Sequence, residues 1–309
     1  MSRKFILSID IGGTVTKLAI IDKNLKIRKK KIYLTDTNTY KSSQRLIDKL
    51  VRECEIILNS VKIQKRQIEA IGVGVPGLVD FSKGIIHYLP NIPYFKNTPF
   101  RKILEDKLGI RVFVDNDVNL MALAEARVGA ASGAKNAVCL TLGTGVGGGI
   151  IYEGNLYRGS KYCAGEIGHM PVNVDGPICN CGGRACLESY IGNRAILRLA
   201  RVRLRMKSLT MEKISLLAKK GNTAALKIFK DYALKLGVVL SGVINLLNPE
   251  VIVIGGGVSN AGDFLFSEIR KTVKERALSV SAKAVKIRKA KLGNDAGLIG
   301  AAILAKENC

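Results

Sequence analysis

At 309 residues the chain exceeds the usual size of a single hydrophobic core, so two lobes are expected. Apolar residues make up 47% and charged residues 24%, which excludes a disordered, fibrous or small disulfide-stapled protein. Forty-nine Lys and Arg against 25 Asp and Glu give a net charge of +24, which admits polyanionic partners. The basic residues are dispersed, however, and the densest runs, 26–31 and 198–207, carry no aromatic residues, so specific nucleic-acid binding is not expected.

In chain order, residues 6–10 read as an apolar strand, Ile11-Gly12-Gly13-Thr14 as a tight turn and 16–22 as a second strand. Residues 26–34 alternate like a third, exposed strand. A helix is expected from about 41 to 60, with Leu46, Ile47, Leu50, Val51, Cys54, Ile57 and Leu58 on one face and its lysines on the other. Residues 70–79 read as a strand interrupted by Gly74, Pro76 and Gly77, and 98–108 as a short helix opened by Pro99. A strand over 111–114 ends in Asp115-Asn116-Asp117, and a helix over 118–128 follows. Then the opening pattern recurs: a strand at 137–142, a Gly143-Thr144-Gly145 turn and a glycine-rich strand at 146–152. Beyond a loop-rich stretch at 153–186 come helices near 187–205, 211–219 and 223–247. A strand at 250–254 ends in Gly255-Gly256-Gly257, and a helix, a strand at 284–288 and a last helix near 295–306 close the chain.

Alternating strands and helices predict an α/β layered fold. The echo of the opening hairpin divides it into an N-terminal α/β lobe, 1–115, completed by the C-terminal helix 295–309, and a C-terminal α/β lobe, 116–294. No membrane segment is expected: the most apolar stretch, 233–247, is about a turn short of a span and carries Lys235. The N-terminal apolar run is too short for a signal peptide before Asp10 interrupts it. Seven cysteines are an odd count, and Cys179, Cys181 and Cys186 crowd together, which fits metal ligation in a reducing compartment. A cytoplasmic protein is expected.

Asp10 ends a buried strand and is followed by Gly12, Gly13 and Thr14. Bare backbone N–H groups can close on phosphate oxygens there, Thr14 adds a hydroxyl, and Asp10 can hold Mg²⁺ directly or through water. One such turn alone is an ordinary hairpin. The pair formed with Gly143, Thr144, Gly145 and Gly147 is stronger, because two glycine loops on related lobes would hold a polyphosphate across a cleft. Gly255, Gly256 and Gly257 form a strand–turn–helix start on which a base or ribose could lie; they match neither a P-loop nor a dinucleotide fingerprint. In Asp115-Asn116-Asp117, a carboxylate at a strand end can accept a hydroxyl proton and Asn can bond neighbouring hydroxyls, while capping of the next helix accounts for one of the three. His169, Cys179, Cys181 and Cys186 make a one-imidazole, three-thiolate set, a closed tetrahedral structural zinc site with no position left for water. Glu166 and Glu188 flank this loop, 163–188, and suit recognition of a polyol.

Several motifs together resemble the ROK family of sugar kinases and sugar-responsive repressors. They are Asp10-Ile-Gly-Gly-Thr14, Gly74-Val-Pro-Gly77, Asn116-Asp117, the glycine run 142–149, Glu166-Ile-Gly-His169, the Cys179–Glu188 stretch, 247–257 and Gly293-Asn-Asp-Ala-Gly297. The resemblance covers essentially the whole chain. It implies the two-lobed actin-like ATPase fold, a duplicated ribonuclease H-like fold with a zinc-bearing loop in its second lobe, binding ATP and sugar between the lobes. It assigns Asp117 as catalytic base and Asn91, Asn116, Glu166, His169 and Glu188 as sugar contacts, His169 doubling as a zinc ligand. The Gly-Trp that usually follows Asn91 is absent, and Ala185 stands where the family usually has Gly. If that position needs a positive φ, Ala costs about 1 kcal/mol there.

The reading that follows is an ATP-dependent sugar kinase of carbohydrate metabolism, using Mg²⁺ and a structural Zn²⁺ and phosphorylating glucose to glucose 6-phosphate. An N-acetylated amino sugar, fructose or mannose are the alternative acceptors, and polyphosphate an alternative donor. A sugar-responsive repressor is the competing class, but only nine residues precede Asp10, too few for a helix-turn-helix domain. A homodimer or homotetramer is expected.

Overall fold

The computed structural model describes residues 4–37, 39 and 41–309. Residues 1–3, the start of the expected N-terminal lobe, and residues 38 and 40 lie outside the described residues. The chain packs into two compact units, the first formed by residues up to Ala124 with Arg158–Ala164 and Asn294–Cys309, the second by Glu125–Tyr157 and Gly165–Gly293.

In the first unit, β1 (Phe5–Ile11), β2 (Val15–Asp22) and β3 (Ile27–Leu34) form an antiparallel meander, followed by α1 (Ser43–Ser60). Strand β4 (Ile68–Val75) returns parallel to β1. Short strands β5 (Leu78–Asp80), β6 (Ile85–Tyr88) and β7 (Lys96–Thr98) make a separate three-stranded sheet ahead of α2 (Phe100–Leu108). Strand β8 (Val112–Asn116) then joins β4, giving the order β3-β2-β1-β4-β8. Helix α3 (Asp117–Val128) carries the chain onward, so the division falls after Ala124 and not at residue 115.

The alternation of β1 explains its layers. Leu7 and Ile9 face a core with Leu46, Ile47, Leu50, Ile57 and Leu58 of α1, the apolar face expected from the sequence. Ile6 on the opposite face packs with Leu298, Ala302 and Ala305 of the C-terminal helix, Ala296–Glu307. Each such fully buried Leu or Ile contributes roughly 1.5–3 kcal/mol. Ser42 caps α1 by accepting from the Arg45 amide, and Gly109 ends α2 in the left-handed region at φ 68°.

The second unit repeats the plan. Strands β9 (Ala137–Leu142), β10 (Val146–Tyr152) and β11 (Asn155–Tyr157) form the meander, and helices α4 (Leu187–Ile191), α5 (Asn193–Arg203), α6 (Met211–Lys219) and α7 (Thr223–Leu247) follow the loop. Strand β12 (Val251–Gly255) runs parallel to β9, and α8 (Asp263–Arg276), α9 (Ser279–Ala284) and β13 (Lys286–Lys289) complete the order β11-β10-β9-β12-β13. This is the first sheet's order strand for strand, so the echo of the glycine hairpins in the sequence is a repeat of topology. Val138, Leu140 and Leu142 of β9 and Ile252 and Ile254 of β12 share a core with Ile228, Phe229, Tyr232 and Leu236 of α7.

Three readings need correction. The helix expected over 187–205 is two helices, because Gly192 takes an extended backbone (ψ 148°) where a Cβ would press on the Glu188 and Thr144 carbonyls. The strand expected at 284–288 starts at Lys286, since α9 occupies the preceding residues. The strand expected over 70–79 begins earlier, at Ile68, and breaks after Val75, Leu78–Asp80 belonging to the small sheet. No helix among the described residues is long and apolar enough to cross a membrane.

Candidate active site

In the first unit Asp10 stands on β1 beside Gly74 of β4 and opposite Lys17 of β2. Lys17 Nζ donates to Asp10 Oδ2 at 2.9 Å and to the Asn294 carbonyl at 3.2 Å. Gly297, in the first turn of the C-terminal helix, lies so close that a Cβ there would reach within 3.1 Å of the Asp10 carboxyl. The carboxylate thus sits against a helix N-terminus, with Oδ1 lacking a hydrogen-bond partner among the described residues, a donor set that fits a hydrated Mg²⁺. In the adjoining turn the Gly12 amide is spent on the Val15 carbonyl at 2.9 Å, whereas the Gly13 and Thr14 amides have no partner among the described residues. The side chain of Asn91, itself exposed, lies directly over Gly13.

The structure separates the three polar residues that end β8. Asp115 is buried; its Oδ1 accepts from the Asn116 amide at 2.7 Å and from Asn119 Nδ2 at 3.0 Å, and its Oδ2 accepts from Arg158 Nε at 2.7 Å. Asn116 is the cap: Oδ1 accepts from the Val118 and Asn119 amides, and Nδ2 donates to the Gly77 carbonyl at 3.1 Å. One N–H of its amide is left for a ligand. Asp117 starts α3, bonded through Oδ1 to the Val118 amide, while Oδ2 has no partner among the described residues. Burial and the nearby Asp10 carboxylate lift its pKa from 3.8 to about 7, against the pull of backbone N–H groups and Lys17. A carboxylate with a vacant oxygen and a pKa near neutrality has the properties of a general base.

In the second unit Glu188, in the first turn of α4, accepts from the Val146 amide at 2.8 Å. A Cβ at Gly145 would collide with its Oε2, and one at Gly148 with the Gly165 carbonyl. Part of the glycine run is therefore there to let the 165–188 loop pack onto β10. Glu188 thus occupies the Val146 amide, and the Gly143 amide is likewise taken, by the Gly145 carbonyl at 3.0 Å. The Thr144 and Gly145 amides have no partner among the described residues. At the end of β12, Gly255 is buried while Gly256 and Gly257 are exposed; Gly256 holds φ 82° with its α-carbon against Leu142, and nothing lies within 4 Å of a Cβ on Gly257.

The donor atoms of His169, Cys179, Cys181 and Cys186 lie within 4.8 Å of one another. Cys181 and Cys186 Sγ are 3.7 Å apart, and Cys179 Sγ is 3.8 Å from His169 Nδ1. Metal–sulfur bonds of about 2.3 Å at tetrahedral angles demand sulfur–sulfur separations near 3.8 Å, so the set fits zinc. Burial opposes ionisation of Cys179, but hydrogen bonds from the Cys181 backbone, Ser189, Cys181 and His169 bring its pKa down to about 7. Burial and the neighbouring thiols push Cys186 up to about 12. His169 turns its other nitrogen, Nε2, toward Glu166 Oε2 at 3.7 Å, and Glu166 is largely exposed. Ala185 does adopt the positive φ, 58°, and is completely buried.

Lys17 and Arg158 had no role in the sequence reading, and Gly297 entered it only within a motif, with no site role. Lys17 carried a signal: a tight hairpin turn after β1 places it across from Asp10. Arg158 carried none, since its partner lies in a distant strand.

The ROK family model matches residues 6–308, and the chain belongs to the ROK family. Its mixed α/β fold is that of the ROK kinases, of the actin-like ATPase type. It is 36% identical to a glucokinase of Halalkalibacterium halodurans over 99% of this chain and 96% of that protein. It is 33% identical to an N-acetyl-D-glucosamine kinase of Vibrio cholerae, over 96% and 97% of the two chains. The Escherichia coli transcriptional repressor Mlc is 28% identical over 84% of this chain and 66% of the repressor. Among solved structures, a ROK glucokinase from Streptomyces griseus in complex with glucose and AMPPNP superposes with a TM-score of 0.83 at 30% identity, covering 98% of this chain and 99% of the other.

Proposed function

We propose that the protein is an ATP-dependent hexose kinase that transfers the γ-phosphoryl group to the 6-hydroxyl of glucose. The observation that carries this reading is Asp117, a strand-end carboxylate with one vacant oxygen and a pKa of about 7, on a chain aligned along its length with a glucokinase. Asp117 accepts the hydroxyl proton as the sugar oxygen attacks phosphorus, and ADP leaves. Asn116, pinned by its own capping bonds, presents its remaining N–H to a neighbouring hydroxyl, and Asn91 reaches from beside Gly13. Glu166, His169 through Nε2, and Glu188 supply the further hydroxyl contacts.

The vacant amides of Gly13, Thr14, Thr144 and Gly145 donate to phosphate oxygens, with Gly143 and Gly147 shaping the second turn and Gly12 the first. Gly255–Gly257 leave bare backbone for the nucleoside. Asp10 would hold Mg²⁺ through water on its Oδ1, the ion supplying charge neutralisation of the phosphates. His169, Cys179, Cys181 and Cys186 would hold Zn²⁺, which supplies a rigid four-ligand tie for the loop and leaves no position for substrate. A reducing, cytoplasmic setting would keep Cys179, Cys181 and Cys186 available as metal ligands. A homodimer or homotetramer is the expected assembly.

An N-acetylated amino sugar is the second acceptor, favoured by the 33% identity to the V. cholerae kinase. A regulator is the less favoured class, since the base and both glycine turns are intact. A panel of glucose, N-acetylglucosamine, N-acetylmannosamine, fructose and mannose decides, with ATP read by coupled ADP release and polyphosphate read by sugar-phosphate formation. Turnover highest on glucose with ATP supports the reading; no turnover on any sugar overturns it.

A further inference from the structure

We propose that Arg158 is a positioning residue for the Asn116–Asp117 pair, acting through Asp115; the inference rests on the kinase reading for its consequence in turnover. The seven residues Arg158–Ala164 belong to the first unit although the chain on either side belongs to the second. They close on themselves through the Ala164 amide and the Arg158 carbonyl, at 3.0 Å. Arg158 is the group that bonds this short segment to the end of β8. Its Nε donates to Asp115 Oδ2 at 2.7 Å, and its guanidinium lies 3.8 Å over the Phe81 ring. Phe81 is itself held, its carbonyl accepting from Arg101 Nη2 at 2.6 Å.

Asp115 has only 3% of its side chain exposed, and Arg158 is the one cation bonded to it among the described residues. A carboxylate buried to that degree needs a charge partner and a full set of donors to be held in place. Its other oxygen fixes the Asn116 amide and the Asn119 side chain, and Asn116 in turn accepts from the Val118 and Asn119 amides. The peptide that sets the direction of Asp117 is thus tied, bond by bond, to a guanidinium outside the strand. Lysine cannot substitute fully: the contact needs a planar cation that stacks on Phe81 while donating sideways to one oxygen.

The test is Arg158→Gln and Arg158→Lys in the full chain, with hydrogen exchange across residues 112–124 measured beside steady-state kinetics. Arg158→Gln is expected to lower kcat at least tenfold with KM for ATP within twofold, and to speed exchange in 112–124 at least tenfold. Arg158→Lys is expected to recover part of both. Should Arg158→Gln fail to fold because Asp115 is left unpaired, the double variant Asp115→Asn with Arg158→Gln removes both charges and is read in the same way. Unchanged exchange in 112–124 together with kcat within threefold of the natural chain, in a folded variant, overturns the proposal. A natural chain that phosphorylates no sugar overturns the kinase reading instead, and the exchange measurement still decides whether Arg158 orders this strand end.

Discussion

With Asp117 as the base of the proposed kinase, activity and stability should depend on pH in opposite directions. Its carboxyl titrates at about 7 in the folded chain against 3.8 for an ordinary Asp, chiefly through burial and then through the Asp10 carboxylate. As a base it works only when ionised, so kcat/KM for the sugar should rise roughly tenfold between pH 6 and pH 8 and then level off. Stability runs the other way. A carboxyl whose pKa is raised on folding favours the folded state while protonated, so its contribution is complete below about pH 4 and is lost as the pH rises through about 7. The span from 3.8 to about 7 sets a ceiling of about 4 kcal/mol on that loss, and solvent at the half-buried side chain reduces it to about half. Asp117→Asn keeps the oxygen that accepts from Val118 but cannot ionise. It should therefore be inactive, bind sugar within about tenfold of the natural chain, and melt higher at pH 8, with the advantage vanishing near pH 4. Lys17→Met removes a charge that holds the carboxyl down and should move the activity midpoint to higher pH. Coupled ADP release and thermal melts across pH 4–9 measure both arms. A flat kcat/KM from pH 6 to 8, or an Asn variant that melts lower at pH 8 than the natural chain, refutes the reasoning.

Cys181→Ser should lower the melting temperature and raise KM for sugar far more than KM for ATP, and elemental analysis of protein made with zinc should find one zinc per chain; an unchanged sugar KM removes the loop from sugar binding. Gly256→Ala should cost more than about 2 kcal/mol, since it strains φ and drives a Cβ into Leu142, whereas Gly257→Ala should leave the denaturant midpoint unchanged and raise KM for ATP. The excess positive charge should give only weak, sequence-independent DNA binding that fades steeply with salt: in 26–31, Arg28 pairs with Asp22, Lys30 with Asp295 and Lys31 with Glu53, and Arg194, Arg198 and Arg201 stand exposed on α5, whose own sequence has no aromatic residue to stack a base. Gel shifts showing tight, sequence-dependent binding at physiological salt would restore the repressor.

Much of the fold was legible because its strongest signals are local. The hairpin around Gly12-Gly13 and its echo around Gly143–Gly145 each combine an apolar strand, a glycine turn and a returning strand within about 16 residues, and the duplicated strand order follows from them. The three-stranded sheet of β5, β6 and β7 was not legible, since strands of three or four residues carry barely one period of alternation. The break at Gly192 was hidden too: the apolar spacing continues across it, and only the carbonyls of Glu188 and Thr144, brought together by folding, forbid a side chain there.

The site was legible in its residue types and illegible in how they divide the work. Asp115, Asn116 and Asp117 look interchangeable as a string of polar residues at a strand end. Folding gives the first an arginine from more than forty positions away, the second a cap and a carbonyl, and the third a vacant oxygen. The glycines of the 143–149 run likewise read as one phosphate cradle, yet Gly145 and Gly148 make room for Glu188 and Gly165, so that the 165–188 loop and the glycine turn are packed as one piece. That packing has a consequence for how the second unit can respond to its ligands. A sugar pulling on Glu188 must also pull on the Val146 amide, one residue from the vacant Gly145 amide, so sugar binding and phosphate binding should be coupled through a single hydrogen bond. Glu188→Gln, which keeps the size but weakens the acceptor, should reduce the fold-change in ATP affinity caused by sugar as well as sugar affinity itself. Titration calorimetry with AMPPNP, with and without glucose, reads this directly, and an unchanged coupling ratio in the variant would break the link.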